Sequence, residues 1–115
     1  MERQWFLESF GTDGVHVEFV VTQLPCRVGR GKDNDLVIAN LGLSRNHATL
    51  TRDISGQLRL VDENSTNGTF VNRQQVEGFC LLKENDIIHF ASAEFRLRMR
   101  FVDQENVLPF DERGT

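Results

Sequence analysis

Apolar and polar residues alternate one by one in two stretches of this chain, a pattern that an extended strand can turn toward a core and a helix cannot. Val15, Val17, Phe19 and Val21 fall on one side of the backbone, and His16, Glu18 and Thr22 on the other. Phe95, Leu97, Met99 and Phe101 alternate in the same way with Arg96, Arg98 and Arg100. No segment carries apolar residues at the i, i+3, i+4, i+7 spacing of an amphipathic helix. Strands are therefore predicted over both stretches. Shorter apolar segments predict more of them over residues 4–8, 26–28, 36–38, 48–52, 58–62, 69–71, 74–76 and 86–90. Turn-forming clusters separate them, at Gly11-Thr12-Asp13-Gly14, Ser55-Gly56, Asn67-Gly68 and Asn85-Asp86. Many short strands at this spacing predict an all-β sandwich or barrel.

The chain has 115 residues, a length suited to one domain with a hydrophobic core of its own. Its apolar runs reach three or four residues, as in Phe19-Val20-Val21, whereas a membrane-spanning helix needs about 20. The opening Met1-Glu2-Arg3-Gln4-Trp5 lacks the apolar core of a secretory signal, so a reducing, intracellular (cytoplasmic) setting is expected. Cys26 and Cys80 have no CxxC spacing, and both are read as ordinary strand residues, with no zinc site or disulfide framework. The net charge is −4, and Asp103, Glu105, Asp111 and Glu112 against Arg113 place −3 of it in residues 103–115. A domain over residues 1–102 followed by an acidic linker or tail over 103–115, which loses the alternation and carries Pro109, is the predicted organisation. The nearly neutral body argues against nucleic acid, whose binders show a basic footprint.

Three predicted loops hold more arginine, serine, asparagine and glycine than turns require. They are Gly29-Arg30-Gly31-Lys32-Asp33-Asn34, Leu43-Ser44-Arg45-Asn46-His47-Ala48 and Asn64-Ser65-Thr66-Asn67-Gly68-Thr69. Guanidinium forks, hydroxyls and backbone N–H groups are the inventory that holds an oxyanion. These loops point to a site for phosphate.

The chain resembles the forkhead-associated (FHA) domain family. The likeness rests on Gly29-Arg30, on Ser-Arg-x-His at residues 44–47, and on Asn-x-Thr-Asn-Gly-Thr at residues 64–69 followed by Phe70-Val71-Asn72, with flanking strands over roughly residues 4–102. The resemblance implies an FHA/SMAD-like fold: an antiparallel two-sheet β-sandwich of about eleven strands with binding loops at one end. It also implies phosphothreonine recognition on a protein partner, in phosphorylation-dependent signalling. By motif position Arg30 would pair with the phosphate, Ser44 would donate its hydroxyl, and Arg45 would add charge or a second hydrogen bond. Thr66 would support the phosphate or peptide, and Asn67 would bond the peptide backbone. Gly29, His47 and Gly68 occupy architectural positions. No catalytic residue, metal or cofactor is implied; the expected partner is a phosphothreonine protein or peptide, with no nucleic acid or membrane, met by one part of a longer multidomain chain.

Competing readings exist for several of these residues. Asn67-Gly68 also suits a hairpin turn between strands 58–62 and 69–71. In a plain meander the first two loops would fall at opposite ends of strand 36–38, so their convergence comes from the resemblance alone. Asn72-Arg73 is a poor two-residue turn, because arginine resists positive φ. His47 reads as structural. Gly29-Arg30-Gly31-Lys32 lacks the GxxxxGK[ST] spacing of a nucleotide loop, and Ser44 with His47 supplies no nucleophile elbow. Asn64-Ser65-Thr66 and Asn67-Gly68-Thr69 also match the glycosylation acceptor pattern, which matters only in a secreted chain and reads as coincidental here. The Arg96, Arg98, Arg100 row reads as a solvated strand face. A sandwich that docks partners through a sheet face and binds no phosphate is the alternative function.

Overall fold

The structure, a computed structural model, describes residues 2–10 and 14–103. Eleven strands run in the order β1 (Glu2–Phe10), β2 (His16–Val20), β3 (Cys26–Gly29), β4 (Leu36–Val37), β5 (Ala48–Arg52), β6 (Leu58–Asp62), β7 (Thr69–Val71), β8 (Gln74–Gln75), β9 (Phe79–Leu81), β10 (Ile87–Phe90) and β11 (Ala93–Val102). They form two sheets, one ordered β2-β1-β11-β10-β7-β8 and the other β4-β3-β5-β6-β9. The all-β architecture expected from the alternation, and the two-sheet sandwich implied by the resemblance, are the observed fold. Residues 104–115, most of the expected linker, and residues 11–13 of the first turn signal lie outside the described residues.

The alternation turns apolar side chains inward over the first half of β11, while Val15 and Val17 at the β2 edge and Phe101 near the end of β11 stay 55, 39 and 61 % exposed. Leu7, Leu97 and Phe95 turn inward from one sheet, and Val28, Leu50 and Leu60 meet them from the other, at 0–4 % exposure. Each such side chain contributes roughly 1.5–3 kcal/mol on burial. Phe90 lies at the centre, tilted against Phe95 at 5.9 Å. On the outer face, Arg98 pairs with Glu8 at 3.0 Å and Arg100 with Glu18 at 3.2 Å, while Arg100 also caps the Phe6 ring. Two members of the arginine row are thus tied to their own sheet.

Two local expectations need correction. The chain is no plain meander here, because β4 returns parallel to β3, with Val28 opposite Leu36 and Gly29 opposite Val37. A parallel neighbour leaves by the same end as its partner, so the connections after β3 and after β4 emerge together. Asn67-Gly68 is not a hairpin turn either. β6 and β7 belong to different sheets, and the connection between them crosses the sandwich.

The Asn72-Arg73 turn does form, with φ of 51° and 71°. Asn72 holds it: its backbone N–H donates to Ile87 O at 2.7 Å, its Oδ1 accepts from Ile87 N, and its Nδ2 donates to Asp86 Oδ1. These bonds offset the strain at Arg73. β9 was not expected from the sequence.

Candidate functional site

The connections β3–β4, β4–β5 and β6–β7 meet at one end of the sandwich, and backbone groups join the first two. Arg30 N–H donates to Ser44 O and Gly31 N–H to Arg45 O, both at 3.0 Å. The approach is so close that a Cβ on Gly29 would lie 2.2 Å from Arg45 O. That oxygen is backbone and cannot swing away, so only glycine fits position 29. Asn34, buried, closes the same seam by donating from Nδ2 to Gly31 O and Arg45 O, each at 2.7 Å.

His47 ties the second loop to the third. Its ring is fully buried and lies edge-on to Phe90. Nδ1 accepts from Ser44 N–H at 3.0 Å, which fixes the tautomer and leaves Nε2–H to donate to Gly68 O at 2.9 Å. With both nitrogens committed to backbone, the imidazole has none left to act as base for the Ser44 hydroxyl. His47 therefore links the Ser44 and Gly68 backbones across the two loops. Gly68 adopts φ of +89°, where its missing Cβ also leaves room for the Phe70 ring.

The third loop has an internal anchor. Asp62 Oδ1 accepts from the Ser65 and Thr69 hydroxyls, each at 2.6 Å, and Ser65 Oγ accepts from Gly68 N–H. Burial alone would raise the Asp62 pKa, but these hydroxyls and Ser65 N–H hold it below the ordinary carboxylate value. Asp62, Ser65, Thr69 and Asn34 are site-shaping residues that sequence reasoning missed. The Asp-x-x-Ser spacing of Asp62 and Ser65 was the available signal for a side-chain-capped loop.

On this frame stand the five residues expected to bind. Ser44 Oγ accepts from Thr66 N–H at 2.9 Å, leaving its own hydrogen free to donate outward. Arg30 is exposed and uses only Nε, on Leu43 O, so two NH₂ groups face solvent without a partner among the described residues. Arg45 is exposed, and its Cγ packs over Gly31. Asn67 Nδ2 donates to Gly42 O at 2.8 Å, which orients its Oδ1 away from that bond. Thr66 is exposed beside Ser44. The structure brings Arg30, Ser44, Arg45, Thr66 and Asn67 to one rim, with Lys32 exposed on the first loop. The rim is rich in donors, a surface suited to an oxyanion on an extended chain.

A model of the FHA domain matches residues 26–91. Over 62 residues the chain is 44 % identical to an ABC transporter ATP-binding/permease protein of Mycobacterium tuberculosis, a stretch covering 54 % of this chain and 7 % of that protein. Among solved structures, the FhaA FHA domain complexed with the intracellular domain of Rv3910 superposes with a TM-score of 0.69 at 29 % identity, covering 84 % of this chain and 100 % of that one. An FHA domain from a structural and functional analysis of phosphothreonine-dependent interactions gives a TM-score of 0.70 at 29 % identity, covering 87 % and 98 %. The chain spans less than half the length of the curated relatives it matches.

Proposed function

As this chain belongs to the FHA domain family, we propose that its three-loop rim binds phosphothreonine on a protein partner, reversibly and without catalysis. The observation that carries the reading is the Ser44 hydroxyl: it accepts from Thr66 N–H and has no acceptor for its own hydrogen among the described residues, so it is free to donate, next to a half-free Arg30 guanidinium. In this reading Arg30 pairs with the phosphate, Ser44 and Arg45 add hydrogen bonds to it, Thr66 supports it, and Asn67 Oδ1 accepts from the peptide backbone. Gly29, His47 and Gly68 hold the loops in place. Phosphate is bound as the dianion, whose second pKa is about 6.

The wider setting is part of the same proposal. Residues 1–102 form the binding module and residues 103–115 an acidic connector, within an intracellular multidomain protein that meets neither nucleic acid nor membrane. The greater length of the curated relatives supports an appended module, and the net charge of −4 supports a protein partner over nucleic acid. No helix among the described residues is long and apolar enough to cross a membrane.

An oriented phosphothreonine peptide library, followed by calorimetry on the best binder, tests the reading. Charge-assisted hydrogen bonds contribute roughly 1.5–3 kcal/mol each, offset by ordering of the peptide, so micromolar affinity, about −8 kcal/mol, is expected. Arg30→Ala should weaken binding at least tenfold, about 1.4 kcal/mol, and leave the melting temperature nearly unchanged because the guanidinium is exposed. Equal affinity in parent and variant would reject the site and favour a sheet-face docking domain.

A further inference from the structure

At the pole farthest from the three loops lie two concavities of about 500 and 350 Å³, and we propose that they receive an acidic peptide segment with an apolar anchor, carried by a partner protein. They share one wall, formed by Arg3 and Trp5 at the start of β1. The first continues over Leu24 and Pro25 to Arg52 at the end of β5, and the second over Leu58 and Leu82 to Lys83. The five residues of β5 separate this pole from the phosphate rim by about 13 Å along the strand. The site is therefore independent of the phosphothreonine reading and uses none of its residues.

The chemistry of the wall selects the occupant. The side chains of Arg3, Arg52 and Lys83 are exposed and make no hydrogen bond or ion pair among the described residues, and among those residues Glu84 is the one carboxylate lining either concavity. Nor does the indole N–H of half-buried Trp5 have a partner there. A wall of unpaired donors asks for carboxylates. Apolar surface lies between the cations, from Trp5, Val21, Leu24 and Pro25 on one side and Leu58 and Leu82 on the other, which asks for an aliphatic or aromatic anchor.

Ile54 lies in the chain between Arg52, which lines the first concavity, and Ser55, which lines the second. It is fully exposed, on a turn fixed by Asp53, whose Oδ1 accepts from Ser55 N–H, the Ser55 hydroxyl and Gln57 N–H. A large aliphatic side chain held outward by a stiff turn beside an aromatic concavity fits an interaction surface. Nucleic acid is the other polyanion such cations attract, but the chain's net charge of −4 disfavours it.

Trp5 is the chain's one tryptophan, so its emission reports occupancy directly. The experiment titrates the 115-residue protein, and its Arg30→Ala variant, with a short unphosphorylated peptide that has Phe-Leu at its centre flanked by glutamates. A saturable change in Trp5 emission is expected in both proteins, and weakened by added salt. The double variant Arg3→Ala/Arg52→Ala should bind at least about tenfold more weakly, having lost two charge-assisted hydrogen bonds, with its melting temperature and phosphothreonine-peptide affinity unchanged. The proposal fails if emission does not change, or if the double variant binds as the parent does. It also fails if a glutamate-only peptide or a single-stranded oligonucleotide binds as well as the anchored peptide, since either result reduces the site to unspecific ion pairing.

Discussion

Two residues of the site, Arg30 and His47, separate binding from scaffolding. Arg30 spends one N–H on the Leu43 carbonyl of the second loop and leaves the rest without a partner among the described residues, whereas His47 spends both ring nitrogens on loop backbone and is fully buried. His47→Ala should therefore lower stability by about 2–4 kcal/mol, through the cavity beside Phe90 and the unpaired Ser44 N–H. Calorimetric melting should show a drop of at least roughly 5 °C together with weaker phosphopeptide binding, in contrast to Arg30→Ala. Lost binding at an unchanged melting temperature would instead put His47 against the ligand. That Arg30, Ser44 and His47 lie on loops that belong together was legible because the three short motifs follow the order and spacing of the family they resemble. The roles of Asn34 and Asp62 were not legible, since a bond from Asn34 to the carbonyl of Arg45, eleven positions away, leaves no trace in periodicity.

At the scale of elements, alternation reveals a strand only where one face is buried and the other is wet. β11 meets that condition at Phe95 and Leu97, buried beside exposed Glu94 and Arg96, and was readable. β9 does not: Phe79 and Leu81 both stand exposed at the edge of the second sheet, Phe79 under the Arg59 guanidinium at 5.1 Å, so no in-out contrast marks the segment. The parallel return of β4 was equally hidden, because two residues carry no direction. The β7–β8 turn shows the limit of local propensity, since tethering of Asn72 to Ile87 and Asp86 outweighs the resistance of Arg73 to φ of 71°. That strain can be relieved. Arg73→Gly should raise stability by about 0.5–1 kcal/mol, the αL penalty less the added backbone entropy of glycine, read as a melting temperature a few degrees higher. A lower melting temperature would mean that the arginine side chain contributes more than its backbone costs.

For the whole molecule, proton linkage sets both edges of the stable pH range. On the acid side, burial works against ionised Glu8 and Asp62, but the partners Arg98 and His16 for the first, and the Ser65 and Thr69 hydroxyls for the second, keep both pKa values below their ordinary 4.5 and 3.8. The unfolded chain then takes up protons first as pH falls, so this stability is present above about pH 4.5 and is lost below it. On the alkaline side, burial pushes the Cys26 thiol from 9.0 up to about 11, with Asp35 adding to the shift. Here the unfolded chain loses its proton first as pH rises. The folded state keeps the thiol protonated, so stability declines between pH 9 and 11, by up to about 2–3 kcal/mol for this one group. The chain has no tyrosine to titrate in that window. Urea unfolding at pH 8 and at pH 10.5 should accordingly show a lower midpoint at the higher pH. Cys26→Ala should start from a lower midpoint, having left a cavity in the core beside Leu50, and should lose less of it over the same interval. An equal alkaline loss in parent and variant would assign the decline to groups other than this thiol.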